Sequence, residues 1–332
     1  MKRTFLVILA AGLLNAPLSA TALQAPLATG AVEAAPVPPA EFAGPSNAAL
    51  AYYRAWMVAP RDAWQAFKDG DNTALDDLQG TIGALIDSAA IRQCDWGVQY
   101  DQGPWALLPH LPELRASARL LQADADRLIS AGQIAQAADR VEAMFRMSRH
   151  PLRDRMIISS LVSAAISSVA CETAGALLDA GALAPADAQR LAEAARLTAD
   201  PFGAREAIRA EGVVFIGWAQ ETLTGPDAGQ IMAEIAALTG DGAESPLARL
   251  NGEQLARALD QLTPYYEQAV AVFADPAAAD RLNALERRIQ AGEFGPAAKV
   301  LAPAMSKVHE QVTRQIDKRN AIIERLRQAA NP

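Results

Sequence analysis

Histidine and cysteine are so scarce in this 332-residue chain that much of the usual chemistry of proteins is excluded at once. The three histidines, His110, His150 and His309, supply a histidine-based metal site poorly. His309-Glu310 is followed by Thr313 where a zinc-protease helix needs a second histidine. The two cysteines, Cys94 and Cys171, form neither Cys-x-x-Cys for zinc or redox work nor Cys-x-x-Cys-His for haem. Gly-x-Ser-x-Gly, Ser-x-x-Lys, Walker and dinucleotide-glycine patterns are missing too, which weakens hydrolase and nucleotide-enzyme readings. No motif implies a cofactor.

Two further shortages bear on fold and partner. Aromatic residues make up only 5% of the chain, and no segment alternates apolar with polar as a half-buried strand does. Ala and Leu dominate instead, and both lose little side-chain freedom in a helix. Concentrated positive charge is also lacking: the net charge is −8, and no run is dense enough in Lys and Arg to hold a phosphate backbone. Nucleic acid is therefore excluded as the main partner. With 51% hydrophobic residues and a mean hydropathy of +0.04, the chain is foldable.

What is present begins with an address. Lys2 and Arg3 precede an apolar run from Phe5 to Leu14, and Ala20-Thr21-Ala22 offers small residues where a signal peptidase reads. This is the layout of a secretory signal peptide, with an apolar run too short to span a bilayer. The chain is expected to be exported, to the periplasm or beyond, and to start at Leu23. No cysteine stands at the cleavage region, so a lipid anchor is not expected. Residues 23–45, with Pro26, Pro36, Pro38, Pro39 and Pro45 among alanines, read as a disordered linker.

From Ser46, a candidate N-cap, helical spacing governs. Helices are expected at about 46–57, 60–67, 73–86, 109–129, 134–147 and 156–171, then at 186–198, 202–223, 227–239, 252–273 with an interruption at Pro264, 276–291 and 297–329. The last of these places Met305, Val308, Val312, Ile316, Ile323 and Leu326 on one face, opposite a polar face that includes Arg319. Gly132, Gly181 and Gly292 each follow a helix end, with an apolar residue two on and Ala five on. That pattern predicts a left-handed glycine cap and a new helix. It echoes a tetratricopeptide turn, but the copies are irregularly spaced. The expected fold is all-α, a multi-helix bundle or irregular α-solenoid of helical hairpins. Its main domain covers 46–223, and a C-terminal subdomain covers 224–332.

Two segments stand out. Met156 to Cys171 is uncharged and Ser-rich. A buried central helix is preferred there over a membrane span, because Arg153, Arg155 and Glu172 bound a short run. Cys94-Asp95-Trp96-Gly97 through Gly103-Pro104-Trp105 is the least helical stretch and holds Trp96, Tyr100 and Trp105. An even cysteine pair in an oxidising compartment predicts one Cys94–Cys171 disulfide, worth roughly 4–5 kcal/mol in the chain-entropy model. The alternative is two buried thiols.

The stretch from Cys94 to about Gly212 carries a resemblance. Cys94-Asp95-Trp96-Gly97, Leu107-Leu108-Pro109-His110-Leu111-Pro112-Glu113-Leu114-Arg115, Ala118-Arg119-Leu120-Leu121, the Gly132 hairpin and Leu161 to Ile166 resemble an uncharacterised family of exported all-helical bacterial proteins of planctomycete type. About a third of the chain is covered. The resemblance implies fold and compartment, and no activity.

Candidate binding residues are Trp96, Tyr100, Trp105, His110, Arg115 and Glu211. The aromatics offer flat faces for a sugar ring, or else plug their loop onto the bundle. His110, at a helix start between Pro109 and Pro112, is either a pocket acid–base or a packing residue. Glu211 is either a carboxylate with a raised pKa or an arginine's partner. The leading expectation is an exported binding or scaffold module that meets an envelope protein or glycan. The alternative is a cell-envelope enzyme of glycan-hydrolase type using His110 or Glu211.

Overall fold

The computed structural model describes residues 46–198, 202–223, 230, 250–273, 275 and 277–331. The leader expected at 1–22, the linker expected at 23–45 and the helix expected at 227–239 lie outside the described residues, apart from position 230. All regular structure among the described residues is helical. In chain order the α-helices are α1 (Ala48–Val58), α2 (Arg61–Lys68), α3 (Gln79–Ala90), α4 (His110–Ser130), α5 (Ile134–Ser148), α6 (Ile157–Asp179) and α7 (Pro185–Ala195). There follow α8 (Ala204–Leu223), α9 (Gly252–Asp260), α10 (Thr263–Phe273), α11 (Ala278–Ala291), α12 (Gly295–Leu301) and α13 (Met305–Ala330). Short 3-10 turns occur at Asn72–Leu75, Tyr100–Trp105 and Pro151–Asp154.

Local chemistry explains most boundaries. Asn47, one residue after the expected cap, accepts from the Ala49 N–H and starts α1. Asp71 caps the 3-10 turn at Asn72–Leu75, and the helix expected at 73–86 begins only at Gln79. Gly132, Gly181 and Gly292 are all left-handed, at φ 73°, 70° and 89°. At Gly132 the Gln133 N–H reaches back to the Leu128 carbonyl, closing a Schellman turn that sends α5 back along α4. The expected 297–329 helix is two helices, because Pro303 cannot donate to a helical ladder and Ala302 before it is extended.

The buried side chains form two cores. The first joins α1 to α7 and takes in Ile322, Ile323 and Leu326 from the C-terminal half of α13. The second joins α8 to α12 with Met305, Val308 and Val312 from the N-terminal half of α13, and Ile157 and Ala164 from the start of α6. Two long helices thus run through both cores. Helix α6 is apolar and long enough to cross a bilayer by composition, yet more than half of its apolar window is buried inside the protein. Two of its five serines donate to other elements: Ser163 Oγ to the Ser148 carbonyl at 2.5 Å, and Ser159 Oγ to Asp154 at 2.6 Å. On α13, Arg319 leaves the expected polar face. It is 3% exposed, donates to the Thr198 carbonyl and lies over the Phe202 ring.

The expected disulfide is not formed; Cys94 and Cys171 are both buried free thiols. The reason is distance along the fold. Cys94 lies beside Arg153 and Asp154, just before α6 begins, whereas Cys171 is far along that helix. At 1.5 Å per residue, Ile157 to Cys171 spans about 21 Å, several times what a disulfide bridges. Burial pushes each thiol up to about 12, so neither holds much thiolate at neutral pH. Intact protein is expected to keep the same mass on reduction and, once denatured, to take up two iodoacetamide groups, one on each cysteine. A mass gain on reduction with no alkylation beforehand would contradict this.

Candidate functional site

The loop from Ile91 to Pro109 is where the candidate residues meet, and its fixation begins at its edge. The Asn47 side chain accepts from the Asp95 N–H and donates to the Asp95 carbonyl, both at 2.9 Å, as a neighbouring strand would. Ala48 donates to the Gln93 carbonyl at 2.8 Å. The start of α1 and the loop are thereby one unit. Further on, Gly103 takes φ 56° and ψ −128°, a conformation closed to other residues. A Cβ there would lie 2.3 Å from the Trp218 ring of α8, so the missing side chain also permits the contact.

Under the loop sits a polar cluster with almost no exposure. His110, the first residue of α4, places Nε2 2.8 Å from Asp154 Oδ2, and both side chains are 1% exposed. Asp154 Oδ2 also accepts from Ser159 Oγ, while Asp154 Oδ1 is buried without a partner among the described residues. Tyr100 adds a hydrogen bond from its hydroxyl to the Asp154 carbonyl at 2.5 Å. Trp96 lies flat over the imidazole, with centroids 4.2 Å apart and planes within 9°. The Trp96 ring is parallel to Trp56 as well, and its Nε1 donates to the His150 carbonyl.

His150 extends the cluster. Its Nε2–H donates to the Ile91 carbonyl at 2.9 Å, so Nδ1 is free to accept from the Tyr52 hydroxyl at 3.1 Å. The Arg149 Nε at 3.4 Å from Nε2 is then a contact, because that nitrogen already carries its proton outward. Burial, reinforced by Arg149, pushes the imidazole down to about 3, so His150 stays neutral.

The geometry is not that of a nucleophilic triad. Ser159 and His110 both bond to the central Asp154, and among the described residues no hydrogen bond joins the hydroxyl to the imidazole, so a serine–histidine–aspartate relay is not formed. Trp96, at 8% exposure, has no ring face open to a sugar. The Trp105 side chain lies outside the described residues. Arg115 is five residues beyond His110 on α4, about 140° round the helix, beside Arg119.

Glu211 is elsewhere again. Its carboxylate, on α8, accepts from the Ile157 N–H at 2.9 Å and so caps the first turn of α6. Among the described residues no basic side chain pairs with it, and burial, opposed only by that backbone bond, raises it to about 7. Neither His110 nor Glu211 lines the depression beside the loop, which is walled by Asn47, Gln93, Cys94, Asp95 and Arg153. Among the described residues no three His, Cys, Asp or Glu side chains converge as a metal site.

Several members of the cluster escape sequence reading. Asp154, Ser159, Tyr52 and Trp56 come from three separate segments, and only packing brings them to His110. The signal nearest to hand is Arg153-Asp154-Arg155, a carboxylate between two arginines just before the most apolar helix. No family model, curated protein or solved structure matches the chain.

The Glu211 cap yields a pH test. Its pKa is raised on folding, so its stabilising effect is complete below the ordinary carboxylate range and is lost as pH rises towards about 7. Glu211→Gln retains an oxygen for the Ile157 N–H and removes the charge. It is expected to raise stability above pH 7 by about 1–3 kcal/mol and to flatten the decline between mildly acidic and neutral pH. Urea titrations across that range check it; parallel curves for both proteins would contradict it.

Proposed function

We propose that this protein is a non-enzymatic binding or scaffold module that works outside the cytoplasm, meeting an envelope protein or glycan. One observation carries the non-enzymatic part. The two residues a glycan hydrolase would use are committed to structure: His110 is stacked under Trp96 and bonded to Asp154, and Glu211 caps a helix. A glycosidase needs two carboxyl groups facing across an accessible cleft. Asp154 is 1% exposed, and Glu211 is absent from the lining of the depression. The compartment rests on the Lys2–Ala22 leader pattern, together with the resemblance to exported helical proteins. The surface of a stack of helical hairpins suits a binding role.

Incubation of purified chain with isolated cell-wall glycan tests this reading. No new reducing ends are expected, and a pull-down from the envelope fraction is expected to retain protein or intact glycan. Release of reducing ends that Glu211→Gln or His110→Ala abolishes would overturn it.

A further inference from the structure

Folding assembles a positive patch on an otherwise acidic protein. Residues 146–155 carry Arg146, Arg149, Arg153 and Arg155, and the loop after α3 adds Arg92 from a distant part of the sequence. Burial holds the Arg149 guanidinium below the usual arginine range, and the charges of Arg146, Arg153 and Arg92 push it the same way. These four groups are therefore near neighbours. Two are occupied: Arg146 pairs with Glu142, and Arg149 donates to the Ala89 and Ile91 carbonyls. Arg92 and Arg153 are exposed, and among the described residues neither forms an ion pair.

Arg153 borders an open depression of about 410 Å³, together with Asn47, Gln93, Cys94 and Asp95. Its wall is firm, because the Asn47 side chain and the Asp95 backbone hold each other by two hydrogen bonds. Asn47 spends its oxygen and one of its two amide protons on that clamp and on capping α1. The groups left for a guest are the guanidinium of Arg153, the exposed amide of Gln93, the Asp95 carboxylate and the second amide proton of Asn47. That carboxylate spends one oxygen on the Gly97 N–H at 3.0 Å. Arg153 and Asp95 share the lining without forming an ion pair, so the depression presents a cation and an anion, each with capacity unspent. A simple anion would be repelled by Asp95, and a simple cation by Arg153 and Arg92. A guest carrying a carboxylate and hydrogen-bond donors satisfies both walls.

We propose that this depression binds a small carboxylate that also bears hydroxyl or ammonium donors, with Arg153 taking the carboxylate and Asp95 and Gln93 taking the donors. Charge-assisted bonds to a guanidinium are the strongest contact available here, and Arg92 deepens the local positive potential. The chemistry is shared by acidic sugars and by free peptide ends. The proposal deepens the binding-module reading and rests on it.

Calorimetric titration of the purified chain at low ionic strength tests the site, with glucuronate as the sugar probe and dialanine as the peptide probe. Glucose and dialanine methyl ester serve as their neutral-carboxyl counterparts. Saturable binding is expected for at least one of the two carboxylates, and which one binds identifies the source. Arg153→Gln should weaken it by about 10-fold or more, whereas Arg209→Gln, an exposed arginine on α8, should leave it unchanged. Thermal melts confirm that both variants fold. Equal binding by wild type and Arg153→Gln, equal binding of the neutral counterparts, or no saturation by either carboxylate below about 10 mM would overturn the site. Failure here removes this depression as a ligand site and leaves the glycan-cleavage assay to decide the wider reading.

Discussion

The buried contact between His110 and Asp154 is the interaction on which the least regular part of this protein depends. Removing two such groups from water costs several kcal/mol per ion if both are charged, and the cost is met only where other bonds complete the shell. Here Ser159 adds a second bond to the same oxygen, and Trp96 covers the imidazole face. Among the described residues Asp154 Oδ1 has no partner. The return for that cost is specificity of placement. His110 begins α4, Asp154 lies just before α6, and Trp96 and Tyr100 belong to the loop between α3 and α4. A single cluster therefore fixes one irregular segment against the starts of two core helices.

A second constraint links the two cores. The long helices α6 and α13 pass through both, and each begins at a residue that cannot cap it, Met156 and Ala304. Each takes a glutamate from another helix instead. Glu211 of α8 accepts from the Ile157 N–H, and Glu286 of α11 accepts from the Ser306 N–H, both at 2.9 Å. A capping bond contributes about 1 kcal/mol. Both capping glutamates sit on helices of the second core, α8 and α11. Loosening that core would thus expose the first turn of helices on which the first core is built.

Much of the helical framework was legible because periodicity and glycine caps are local signals. The α4–Gly132–α5 hairpin has within its own residues everything needed to specify it, and its ends fall within a residue or so of their expected positions. The break at Pro303 was equally local, yet an apolar face continuous from Met305 to Leu326 drew attention away from it. Other features depend on partners distant in sequence. Nothing near Glu211 says that it will meet Ile157, so an arginine partner was the reasonable expectation. The cysteine pair illustrates a different limit: parity and compartment say nothing about separation, and α6 holds the two thiols far apart. The arginines of 146–155 were visible as residues, but their meeting with Arg92 was not.

The identification of His110–Asp154 as a structural pair is tested most directly by a double-mutant cycle. Urea unfolding of wild type, His110→Ala, Asp154→Ala and the double variant at neutral pH gives the coupling between the two side chains. A coupling of at least about 1 kcal/mol is expected, because each single variant leaves the other group buried without its partner. Additivity of the two single effects to within about 0.3–0.5 kcal/mol would contradict it.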